Sequence, residues 1–161
     1  MIREPRVDEL EKLTNLAAEH AKDAGLIEHD QLERGYFKQQ LKAMMISPDF
    51  KVFVKDEGNV FSAYCVVAAQ QKLWNSSLYG EIILFFVHPE VRNKFLADDL
   101  FNVAEDWCKE VGCIFMHASC CMYDNQYQPN EPWLYRSKTY WNKSQKMAEV
   151  GYHYVKKLET E

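Results

Sequence analysis

The stretch Glu81 to Asn102, EIILFFVHPEVRNKFLADDLFN, changes its period halfway. Residues 81–87 are almost continuously apolar, as in a strand buried on both faces. His88-Pro89-Glu90 breaks the run, and a basic cluster follows at Arg92-Asn93-Lys94. From there Leu96, Leu100, Val103, Trp107 and Val111 recur at helical spacing, with Asp98, Asp99, Asn102, Glu105, Asp106 and Lys109 on the opposite face. Gly112 stops that helix, and CIFMHAS (113–119) reads as another strand. A strand–helix–strand unit of this length predicts a parallel pair joined by a right-handed crossover. We expect residues 79–87 and 114–119 to run parallel and to part at their C-terminal ends. A strand that empties through a basic loop into a helix N-terminus is a common way to hold phosphate. Taken alone, the same residues read more readily as solvated charges at a helix start.

The flanking sequence completes an order of elements. Residues 2–4 read as a short first strand. Asp8 and Glu11 have the spacing of a capping box, and Leu10, Leu13, Ala17 and Ala21 then repeat at helical spacing up to Gly25. Asp30 and Glu33 repeat the box, and Phe37, Leu41 and Met44 carry a second helix to Ser47-Pro48. Phe50, Val52 and Val54 alternate with Lys51 and Lys55, Asp56-Glu57-Gly58-Asn59 is a turn, and Val60 to about Gln71 returns, which predicts a hairpin. Downstream, 123–133 reads as a surface loop, Arg136 to Glu149 as a polar helix, and YHYVKKL after Gly151 as a last strand.

The chain has 161 residues, is 47% hydrophobic and 27% charged, and carries a net charge of −5. Length and composition predict one globular domain over 1–161. No apolar run reaches the length of a membrane span, and the charged start MIREPRVDELEKL lacks the apolar region of a signal peptide, so a cytoplasmic setting is expected. The acidic balance disfavours nucleic acid as a partner. The five cysteines are read as reduced thiols. Cys108, Cys113, Cys120, Cys121 and His117 are types that bind zinc, but their spacing contains no Cys-x-x-Cys pair, so no metal site is expected.

The order of strand, two helices, hairpin, central strand, helix, strand, helix and strand resembles the GNAT superfamily of acyl-CoA N-acyltransferases. The likeness covers nearly the whole chain. IREPRVDELEKL is similar to the family's opening, and EIILFFVHPEVRNKFLADDLFNVAEDWCKEVGC to its central strand, cofactor loop and helix. KMAEVGYHYVKKL resembles its closing helix, Gly-aromatic pair and final strand. The VHPE-R…L…W…G run resembles acetyltransferase-like proteins of bacteriophages, which would place the chain in a host cytoplasm.

The resemblance implies an α/β fold: a central mixed, mostly antiparallel sheet with one splayed parallel pair, flanked by helices. It implies acetyl-CoA as co-substrate, with pantetheine along Phe85, Phe86 and Val87 and phosphates at Arg92, Asn93, Lys94, Phe95, Leu96 and Ala97. The family loop reads Arg/Gln-x-x-Gly-x-Gly/Ala. Arg92 and Ala97 match its ends, and Phe95 stands where the first glycine is expected. We expect the Phe95 ring to turn onto the helix's apolar face while its N–H faces the ligand. Glu81 matches the strand glutamate that serves as base in histone-type members; a solvent-facing strand-end glutamate is the other reading. At the position of the family's tyrosine acid stands Met147, which cannot donate. Tyr140, seven residues earlier on the same expected helical face, and Ser144 between them are the candidate substitutes, with Tyr140 taken as the catalytic one; a surface or packing role is the other reading for each. The acceptor is then a primary amine on a small molecule or protein, and a homodimer stays open. The rival reading is a GNAT-fold binding or structural module without turnover.

Overall fold

The computed structural model describes residues 1–24, 33–73, 75–119 and 131–149. The elements are β1 (Ile2–Arg3), α1 (Leu10–Asp23), α2 (Arg34–Ile46), β2 (Phe50–Asp56), β3 (Phe61–Gln71), β4 (Leu78–Val87), α3 (Lys94–Glu110), β5 (Cys113–Ala118) and α4 (Glu131–Thr139). Single 3-10 turns precede α1 and α3. The chain divides into two compact units, Met1–His20 with Glu33–Ser119 and Ala21–Leu32 with Cys120–Glu161. No helix among the described residues is long and apolar enough to cross a membrane.

The first unit holds one five-stranded sheet in the order β1-β2-β3-β4-β5. Its first three pairings are antiparallel and the last, β4 with β5, is parallel. This is the expected mixed sheet. The β2–β3 hairpin turns where expected, with Asp56 Oδ1 accepting from the Gly58 N–H at 2.8 Å and Gly58 at φ +89°. The parallel pairing ends at Ile82 opposite Ala118, whereas β4 runs on to Val87.

Two irregularities shape β4. Against β3 the register passes from Val66↔Leu84 to Val67↔Ile82, which leaves Ile83 as an extra, bulged residue. Against β5 it shifts between Leu78 and Gly80. Leu10, Leu13, Leu41, Val52, Val54, Tyr64, Val66 and Phe86 form a buried cluster where α1 and α2 meet the sheet. Ile83 and Leu84 pack against it. Within it His20 Nδ1 lies 2.7 Å from Tyr64 Oη, and its ring stacks on Phe86 with centroids 4.7 Å apart. Leu100, Ala104 and Cys108 of α3 are fully buried too. α3 packs closely on β4 at Gly80: a Cβ there would run into Cys108 Sγ and stand 3.1 Å from Met116 Cγ. Burial pushes the Cys108 thiol up to about 12.

Several local expectations are corrected. The Asp8–Glu11 box does not form. Glu9 instead accepts from the Arg6 N–H at 2.9 Å, and Arg3 binds Glu9 and Asp56 together. Glu11 is drawn outward to Arg34 and Lys38. The second helix starts at Arg34 with no side-chain cap from Glu33, and Asp30 lies outside the described residues. The polar helix expected over 136–149 starts earlier and ends earlier. Residues 131–139 are α-helical, Tyr140–Ser144 form a π turn, and Lys146 has φ +55°. Most of the expected 123–133 loop, Cys120, Cys121 and the expected last strand lie outside the described residues.

Candidate functional site

The loop after β4 is built by its own side chains. β4 stops at Val87, and His88 is extended (ψ 136°), as the following proline requires. Asn93 caps α3: its Oδ1 accepts from the Leu96 N–H at 2.9 Å and its Nδ2 donates to Val91 O at 2.9 Å. Asn93 thereby occupies one of the helix-end donors assigned to phosphate. Lys94 and Phe95 are the first two helical residues, so their N–H groups have no intrahelical acceptor. Arg92 lies alongside, with Nε donating to Val87 O at 3.1 Å and its guanidinium 5.8 Å from the centre of the Phe86 ring. Two cationic side chains and two unspent N–H donors at one helix end suit a pyrophosphate.

The Phe95 ring is not turned onto the apolar face of α3. It is 80% exposed. The second helical position points it outward, while Ala97 and Leu100 take the buried side. Leu96 lines an open groove of about 370 Å³ with Met1, Ile2, Lys55, Asp99, Asn102 and Val103. Of the expected pantetheine contacts, Phe85 is half-buried and Phe86 and Val87 are buried, all on the part of β4 past its pairing with β5.

Glu81 is half-buried on β4, one residue before that pairing ends. Gln70 Nε2 donates to Glu81 Oε2 at 2.5 Å, and Tyr79 Oη donates to Gln70 Oε1 at 3.0 Å. The tyrosine fixes which end of the amide faces the carboxylate. Across the parallel pairing Glu81 stands opposite His117. The sequence alone did not join Gln70, Tyr79 and His117 to Glu81. Alternation pairs 79 with 81 and 115 with 117, but the register that joins them is shifted by a bulge. Tyr140 opens the π turn in the second unit, where its Oη accepts from Gln145 Nε2 at 2.9 Å. With the helix ended and Lys146 at positive φ, Tyr140, Ser144 and Met147 do not share a helical face. Among the described residues no cluster of metal-ligating side chains is present.

The chain is similar in fold to several solved structures, some of them named as acetyltransferases. A tetramutant protein from Bacillus halodurans superposes with a TM-score of 0.75 at 18% identity, covering 98% of this chain and 99% of that one. An aminoglycoside acetyltransferase from an uncultured soil metagenomic sample, in complex with sisomicin, gives 0.72 at 12% identity, covering 99% and 96%. A GNAT family acetyltransferase from Staphylococcus aureus gives 0.67 at 17% identity, covering 98% of each chain. Comparison with curated proteins found no match. The acetyltransferase (GNAT) family profile matches residues 10–129, and with the fold and the strand–loop–helix geometry this places the chain in that family.

Proposed function

We propose that this chain is an N-acetyltransferase that takes acetyl-CoA as co-substrate and a primary amine, on a small molecule or a protein, as acceptor. Residues 1–161 act as one domain in this reading. Acetyl-CoA supplies a thioester whose acyl carbon is open to attack. Arg92, Lys94 and the N–H groups of Lys94 and Phe95 hold its phosphates, with Asn93, Leu96 and Ala97 shaping the loop. Phe85, Phe86 and Val87 line its pantetheine. The aminoglycoside acetyltransferase among the fold neighbours supports a cationic amine as acceptor.

The observation that carries the reading is the place of Glu81, a half-buried carboxylate set by Gln70 beside the point where β4 outruns β5. An alkylammonium with a pKa of about 10.4 costs roughly 4–5 kcal/mol to neutralise at pH 7. Glu81 takes that proton. The amine nitrogen then forms the C–N bond as the C–S bond breaks. Tyr140 is assigned the proton for the departing sulfur in this reading, as the phenol that substitutes for the family acid replaced by Met147.

Glu81→Gln keeps the shape and removes the acceptor. It should lower kcat, leave acetyl-CoA affinity nearly unchanged and steepen the rise of rate with pH. An unchanged pH–rate profile would return Glu81 to a structural role.

A further inference from the structure

The sheet face that carries Glu81 also carries an aromatic wall. Tyr79 and Phe115 stack with centroids 5.8 Å apart and planes 7° from parallel. His117 closes the group at 5.1 Å from Tyr79 and 5.0 Å from Phe115. Lys72, just past the end of β3, places its ammonium 4.3 Å from the centre of the Phe115 ring. Among the described residues neither Lys72 nor Glu81 has an ion-pair partner, and Gln70 is the only hydrogen-bond partner of the Glu81 carboxylate.

Aromatic faces attract ammonium groups, most strongly where water is partly excluded. A carboxylate without an ion-pair partner among the described residues, beside three such rings of which one is already covered by an ammonium, has the composition of an ammonium site. Glu81 and His117 lie two residues beyond Tyr79 and Phe115 along their strands. At a rise of 3.3 Å per residue the carboxylate row and the Phe115 row are roughly 7 Å apart.

We propose that this wall selects the acceptor and that the acceptor is a short α,ω-diamine. One nitrogen lies at Glu81, where it loses its proton and reacts. The second stays charged and displaces Lys72 from the Phe115 face. The inference rests on the transfer reading above for what happens at Glu81. The ammonium site itself is tested without transfer.

The probes are 1,4-diaminobutane and n-butylamine, titrated calorimetrically into the full chain with no acetyl-CoA present. The diamine should bind wild type at least about five-fold more tightly than the monoamine. Phe115→Leu should abolish that preference, and Phe115→Tyr, which keeps the ring, should retain it. Lys72→Ala should tighten diamine binding because the competing ammonium is gone, a direction that a merely structural role of Lys72 does not produce. Equal affinity for the two amines, no binding of either, or weakening in Lys72→Ala would overturn the proposal. Acetyl transfer to monoamines without a diamine preference would reject this site and leave the acetyltransferase reading standing. Diamine binding without any transfer would do the reverse.

Discussion

Arg92 Nε donates to the carbonyl oxygen of Val87 at 3.1 Å, which ties the basic loop to the last residue of the central strand. A guanidinium held this way is oriented before any ligand arrives. Charge-assisted hydrogen bonds contribute roughly 1.5–3 kcal/mol. We therefore expect Arg92→Ala to weaken acetyl-CoA binding by about ten-fold or more, read by calorimetry. Arg92→Lys should not restore it, because an ammonium lacks the fork that serves Val87 and a phosphate together. Unchanged affinity in Arg92→Ala would return Arg92 and Lys94 to solvated charges.

Phe95 leaves the mouth of the loop to its backbone, since its ring is in solvent. Phe95→Gly should thus bind acetyl-CoA as well as wild type or better, while thermal unfolding shows a loss of up to about 1 kcal/mol from added backbone freedom. Absence of wild-type binding at millimolar acetyl-CoA would reject this account of the loop and favour a module without turnover.

Glu9 links the first turn to the sheet edge through Arg3, and its side chain is only 4% exposed. Hydrogen bonds from the Arg3 guanidinium and then the Arg6 N–H hold its carboxyl at about 2, against an ordinary 4.5, although burial opposes them. A carboxyl depressed in the folded state adds stability above its unfolded value and loses it as pH falls through the folded one. The loss should fall between about pH 4.5 and about pH 2. Glu9→Gln should flatten acid unfolding in that window, and Asp56, also lowered by Arg3, should leave a remainder. Parallel acid curves for the two proteins would refute this role.

Gly80→Ala should cost about 1–3 kcal/mol, because the new methyl meets Cys108 Sγ inside contact distance. Adding Cys108→Ala should recover much of that loss, and a double-mutant cycle in denaturant measures the coupling. Purely additive effects would mean that α3 simply shifts outward.

The parallel pair was legible because it needs only local signals: an apolar run, a proline, a helical stripe ending at Gly112 and a second short run. Caps were less legible. Glu9 and Glu11 have similar surroundings in the sequence, and what separates them is Arg3, which reaches Glu9 and Asp56 at once. The helix expected over 136–149 failed for a related reason, since nothing in its composition marks the π turn at Tyr140. For the candidate site, Glu81 came from the family resemblance and the basic loop from residue order. Gln70, Tyr79 and His117 came from neither, because their convergence depends on a register that shifts on both sides of β4.

The bulge at Ile83 acts as a parity switch. Glu81 pairs with Ala68, whereas Phe86, five positions later, pairs with Tyr64. Ala68 and Tyr64 are both even-numbered residues of a regular strand and so share one face. Without the extra residue, an odd and an even position on β4 would point to opposite sides. The carboxylate and the ring beneath Arg92 would then be divided by the sheet. This segment should tolerate changes of side chain far better than changes of length. Removing one residue there would turn half the strand over, and the two halves of the site would no longer face the same space.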